Sequence, residues 1–133
     1  MVFTIRKNAT LPILKLKVYK DGRNDFYKLM DLLPTASITF AMKDNITGIY
    51  KVANRAAQIY LKDPSVTDGV KEYYIGYQFT SEDTDTPGVY TGSFKINCFN
   101  SDNSLYGELV VPIREELYIH VIDNFVKSDV VYI

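Results

Sequence analysis

The chain has 133 residues, among them 11 Tyr and 7 Phe but no Trp, one Cys and one His, and its formal charge is −1. That length predicts one domain able to bury a core without disulfides, and the near-neutral balance argues against a nucleic-acid binder, which carries a basic face or stripe. No apolar run approaches a membrane span, the opening Met1-Val2-Phe3-Thr4-Ile5-Arg6-Lys7 does not read as a signal peptide, and one Cys with one His does not furnish a usual zinc site; no membrane, metal or cofactor is expected.

Residues 1–11 read as an N-terminal arm with short apolar alternation at Val2, Phe3 and Ile5. Residues 12–123 read as the folded domain. After Pro12, Leu14, Leu16 and Val18 share one face of a strand whose other face carries Lys15 and Lys17, and outward lysines discourage edge pairing. Asp21-Gly22 marks a turn. Phe26 to Leu33 reads as an irregular edge strand or single turn ending at Pro34. Ser37 to Lys43 is a strand with Ile38, Phe40 and Met42 inward, closed by the turn Asp44-Asn45-Ile46-Thr47-Gly48. Over 49–62 two short strands flank a small-residue connection, with a short helix as the alternative. Val70 to Phe79 forms a strand with Tyr73, Ile75, Tyr77 and Phe79 on one face.

The chain is organised around Thr84 to Phe99. Pro87 and Gly88 fit the middle of a type II turn. Strict alternation then puts Tyr90, Gly92, Phe94, Ile96 and Cys98 on a buried face, and Thr91, Ser93, Lys95 and Asn97 on a wet one. Further strands follow at Leu105–Ile113, with Leu105, Leu109, Val111 and Ile113 in phase, and at Leu117–Ile122. Short strands separated by turn clusters, without sustained helical periodicity, predict an all-β antiparallel sandwich.

No catalytic motif stands out. His120 alternates within an apolar strand, and a base needs a nucleophile and an orienting partner, so a structural role is expected. Cys98 is expected as a small buried hydrophobe. The acidic run Glu82, Asp83 and Asp85 lacks the ligand ladder of a calcium loop and is expected as a solvated loop. The segment 124–133 is expected as a C-terminal strand or tail. Its apolar end, Val130-Val131-Tyr132-Ile133, needs cover from its own domain or a neighbour's sheet edge. The same holds for Val2, Phe3 and Ile5, so these seven residues are the candidates for assembly, with core strands as the other reading.

Taken together, Ile38-Thr39-Phe40-Ala41-Met42-Lys43-Asp44, Glu72-Tyr73-Tyr74-Ile75-Gly76-Tyr77 and Asp85-Thr86-Pro87-Gly88-Val89-Tyr90-Thr91-Gly92-Ser93-Phe94-Lys95-Ile96 resemble the immunoglobulin-like N-terminal module of the phage upper baseplate protein family. Leu16-Lys17-Val18-Tyr19-Lys20-Asp21-Gly22 and Leu32-Leu33-Pro34-Thr35-Ala36-Ser37-Ile38-Thr39-Phe40 are also similar, and the likeness covers residues 12–113. It departs from the family in lacking the long C-terminal portion and in adding residues 115–133. The resemblance implies that the all-β fold is an immunoglobulin-like antiparallel β-sandwich. It also implies a non-enzymatic virion structural protein, made in the host cytoplasm, acting as a tail or baseplate adaptor. Its partners would be other virion proteins and further copies of itself, and it transfers no catalytic residues. A capsid decoration or head-fibre protein, or a carbohydrate-binding sandwich using surface tyrosines, are the alternatives.

Overall fold

A computed structural model describes residues 1–17, 31–61, 73–113 and 115–123. The strands are β1 (Val2–Arg6), β2 (Leu14–Lys17), β3 (Ser37–Asp44), β4 (Tyr50–Ala56), β5 (Gln58–Leu61), β6 (Tyr73–Tyr77), β7 (Gly88–Phe99), β8 (Leu105–Val111) and β9 (Leu117–Ile122). One sheet runs β1-β9-β7-β3-β4, with β8 also on β7; the other runs β2-β6-β5. The expected all-β sandwich is therefore what the chain forms. Among the described residues every pairing is antiparallel except β1 with β9, which run parallel from Val2↔Tyr118 to Arg6↔Ile122.

The two layers meet through aromatic rings. Phe40 of β3 stacks on Tyr77 of β6, with ring centroids 4.7 Å apart, and tilts against Phe94 of β7 at 4.9 Å. Phe79 closes edge-on against Phe40 and Tyr77. Offset and edge-on aromatic pairs stabilise beyond their area. Around them Ile38, Met42, Val52, Ile75, Ile96, Cys98, Ile119 and Val121 are buried.

β7 is the spine. β3 pairs along one side of it from Tyr90 to Asn97. The other side is shared end to end: β9 takes Gly88–Gly92 and β8 takes Phe94–Phe99. Tyr90, Gly92, Phe94, Ile96 and Cys98 all face the core. The Tyr90 hydroxyl donates to the Thr86 carbonyl at 2.6 Å. A tyrosine tied back to the backbone at this corner is a mark of the immunoglobulin sandwich, where a cysteine follows two residues later. Here that position is Gly92, whose missing side chain leaves room for Phe40 and the Ile119 methyl.

Several expectations are corrected. Gly88 has φ 159° and opens β7 as extended backbone, so Pro87-Gly88 does not form the type II turn. Of the two readings of the N-terminal segment, the structure takes the core strand: Val2–Arg6 is β1, Ile5 is buried, and Phe3 stacks on Phe79 at 5.9 Å. Of the two readings of the segment ending at Pro34, its described end takes the single turn: Leu33–Thr35 form a 3-10 turn with Pro34 in its first turn, where a missing N–H costs nothing. Its earlier part lies outside the described residues, as do the turn at Asp21-Gly22, Val18 and residues 124–133. Leu105 and Ile113 are exposed, while Leu109 and Val111 pack on the core.

Over 50–61 the two-strand reading holds in a compact form. β4 belongs to one sheet and β5 to the other, and only Ala57 separates them, its N–H bonded to the Ile38 carbonyl at 2.8 Å. One residue carries the chain across the sandwich.

Asp83, expected in a solvated loop, is instead 2% exposed. One carboxylate oxygen accepts from the Tyr77 hydroxyl at 2.7 Å and the Thr80 N–H at 2.9 Å; the other faces Arg55 Nη1 at 3.2 Å. A buried carboxylate is tolerable only with such partners. Glu82 and Asp85 are exposed, as expected. Burial first, and then the bond to Asp83, push the Tyr77 hydroxyl up to about 12 from an ordinary value of 10.0. The folded state thus holds this proton more tightly than the unfolded chain does. The resulting stabilisation is complete below pH 10 and is lost as pH rises from there through 12. In an ultraviolet titration the Tyr77 phenol should ionise only as pH approaches about 12, and thermal stability should fall through that same window.

Candidate interaction surface

The β3–β4 turn, Asp44 to Ile49, is built by its own side chains. Asp44 Oδ1 accepts from the N–H groups of Ile46 at 2.7 Å and Thr47 at 3.0 Å. Those two backbone donors, Thr47's first, hold the Asp44 carboxyl below its ordinary value. The Gly48 N–H donates to the Asp44 carbonyl at 2.9 Å, and the Asp44 N–H to that of Ile49 at 2.9 Å. Gly48 sits at φ 72°, the left-handed region that glycine enters without Cβ cost. The Thr47 hydroxyl accepts from the Ile49 N–H at 3.2 Å.

The turn is also tied to its neighbour strand. The Asn45 N–H donates to the Val89 carbonyl at 3.1 Å, and the Thr91 hydroxyl donates to Asn45 Oδ1. Asp–Asn at the start and Gly at the end are ordinary turn chemistry. Isoleucine at the tip is not. Ile46 is 95% exposed, Ile49 69%, Tyr50 58% and Val89 42%. Single exposed apolar residues are commonplace, but a cluster at one end of a domain marks an interaction surface. Here its display is preorganised by hydrogen bonds, so little ordering entropy remains to be lost on association.

Of the residues singled out for assembly, Val2 is exposed at the sheet edge, whereas Phe3 and Ile5 are committed to the core; Val130, Val131, Tyr132 and Ile133 lie outside the described residues. Among the fold-defining residues, Pro87 is exposed at the approach to β7, Gly88 opens that strand, and Tyr90, Gly92, Phe94 and Ile96 are interior. Of the six, Tyr90 reaches the turn, lining a small concavity with Asp44, Thr47, Ile49 and Tyr50. Ile46, Ile49 and Tyr50 did carry a readable signal: β-branched and aromatic residues bracketing Thr47-Gly48 have no core to enter from a tight turn. His120 lies half-buried on the outer face of the larger sheet, between Thr4 and Val89 in register. Among the described residues no group of His, Cys, Asp and Glu converges as a metal site would.

The chain is thus an all-β, two-sheet sandwich that displays an apolar turn at one end. Compared with known proteins, the chain matches no family model, no curated protein and no solved structure.

Proposed function

We propose that the chain is a non-enzymatic structural protein of a phage virion, an adaptor in the tail or baseplate that works by assembling with further copies and with other virion proteins. The observation that supports assembly is the rigid β3–β4 turn holding Ile46 and Ile49 in solvent; the virion setting rests on the resemblance of residues 12–113 to the baseplate module. The sheet edges at β1 and β4, which pair on one side only among the described residues, and the apolar segment 130–133 would extend the contact, since edges and apolar strands both seek pairing.

The test is the solution mass of the full chain by light scattering, alongside Ile46→Asp. A charge at this tip leaves the Asp44-based turn intact, so fold stability should change by less than about 0.5 kcal/mol. The wild type is expected as a defined oligomer and the variant as a smaller species with the same unfolding midpoint. A wild-type monomer at all concentrations would overturn self-assembly. Absence of the chain's peptides from density-purified particles of its own phage would overturn the virion setting.

A further inference from the structure

A shallow concavity of about 330 Å³ opens on the outer face of the larger sheet, across β3, β4, β7 and β8. Small-molecule sites start near that size, at about 300 Å³. Its base is made of short side chains, Thr39, Ala41 and Ser93, and its sides include Tyr50, Asn54 and Lys95.

The edge strand is distorted to shape it. The β3–β4 register shifts between Phe40 and Met42 and again between Met42 and Lys43. Asn54, at φ 48°, occupies the left-handed region. Consecutive residues of a regular strand point to opposite faces, yet Ala53 and Asn54 both line the concavity. A bulge that turns a side chain onto the neighbouring face is a device found beside binding sites, and asparagine tolerates the backbone this needs.

The polar groups it gathers are unspent. Among the described residues the Thr39 and Ser93 hydroxyls and the Asn54 carboxamide form no hydrogen bond. Together they offer donors and acceptors in a neutral array. Lys95 is the only charged group of the lining, and Glu108, 3.9 Å away, largely offsets it. A phosphate or nucleotide would want paired cations or a bidentate arginine. A purely apolar ligand would want an enclosed apolar pocket. What remains is a molecule with hydroxyls around its rim and a C–H face for an exposed aromatic ring, whose π face is electron-rich.

We propose that this concavity binds a neutral saccharide unit, with Tyr50 packing against the C–H face of the ring and Asn54, Ser93 and Thr39 bonding its hydroxyls. The site goes beyond the assembly reading and does not depend on it: Tyr50 belongs to both surfaces, but Ile46 and Ile49, on which that reading rests, are not among the lining residues.

The experiment is an amide-resolved NMR titration of the full chain with glucose, galactose, mannose and N-acetylglucosamine, with inorganic phosphate as a separate probe. One or more sugars should shift amides of β3, β4 and β7 with millimolar affinity. Asn54→Ala and Tyr50→Ala should each weaken that binding by about tenfold or more. Both residues are exposed, so unchanged unfolding midpoints and dispersed spectra show that the loss is local. Ile46→Asp should keep the sugar response, which separates this outcome from that of the assembly test. No shift at the concavity with any of the four sugars overturns the proposal. So do a response to phosphate alone and a sugar response that survives both alanine variants.

Discussion

Replacing Asp83 by alanine is expected to destabilise the fold by about 3–5 kcal/mol, the range for removing one partner from a buried charged network. The cause is the groups left behind. The Tyr77 hydroxyl and the Thr80 N–H both donate to this carboxylate, which is 2% exposed, and among the described residues neither has another acceptor in place. Arg55 is half exposed and can turn to water, so Arg55→Ala should cost less than Asp83→Ala. Asp83→Asn keeps the shape and one acceptor oxygen but turns donors toward donors; about 1–3 kcal/mol is expected for it. Urea denaturation of the three variants measures the order. An Asp83→Ala loss below about 1 kcal/mol would show that water takes over the abandoned donors and that the network is not structural.

Gly76→Ala is expected to be nearly as damaging, at about 2–3 kcal/mol. Gly76 lies in the middle of β6, between Lys15 of β2 and Gln58 of β5. A Cβ there would stand 2.7 Å from the Leu14 carbonyl oxygen and 2.8 Å from Tyr60 Cε2. The Tyr60 ring lies over this glycine with the Lys15 ammonium 4.6 Å from its centroid. Leu14 is backbone inside a paired strand, so it has nowhere to go without breaking the β2–β6 ladder. Gly92→Ala provides the contrast. Its Cβ would meet Ile119 Cδ1 at 2.5 Å and the Phe40 ring from 3.0 Å. Those atoms belong to side chains, and Ile119 can rotate, so a loss of about 1–2 kcal/mol is expected. Thermal unfolding of the two variants side by side should place Gly76→Ala clearly lower; equal midpoints would mean that the smaller sheet yields as readily as a methyl group.

Strand character was readable where one face is dry, because period-two alternation reports the two faces directly. Tyr90 to Cys98, Ile38 to Met42 and Ile75 to Phe79 all follow that pattern. What alternation does not carry is the partner. Nothing local tells β1 to lie parallel to β9, since Val2–Arg6 looks the same whichever strand it joins. The single-residue passage at Ala57 is equally silent, because Asn54-Arg55-Ala56-Ala57-Gln58 has a composition that suits a helix as well as a bent strand. Asp83 is hidden for a related reason. An acid in a polar loop belongs in water unless a tyrosine and an arginine distant in sequence come to it, and only the packing of β4, β6 and their loops brings Tyr77 and Arg55 there. The turn at Asp44 to Gly48 was legible as a turn from its Asn and Gly. The residue types of Ile46, Ile49 and Tyr50 could be read there, but the 95% exposure of Ile46 depends on how the elements pack around it, which is a tertiary fact.

The parallel pairing of β1 with β9 has a mechanical consequence. In a parallel pair the start of one strand lies at the opposite end of the ladder from the finish of the other. Tension applied ahead of Val2 and beyond Ile122 therefore pulls the two strands lengthwise past each other. Every rung from Val2↔Tyr118 to Arg6↔Ile122 then bears load at once, where an antiparallel pair gripped at its open end would unzip rung by rung. A domain wired this way resists being drawn out along its chain direction.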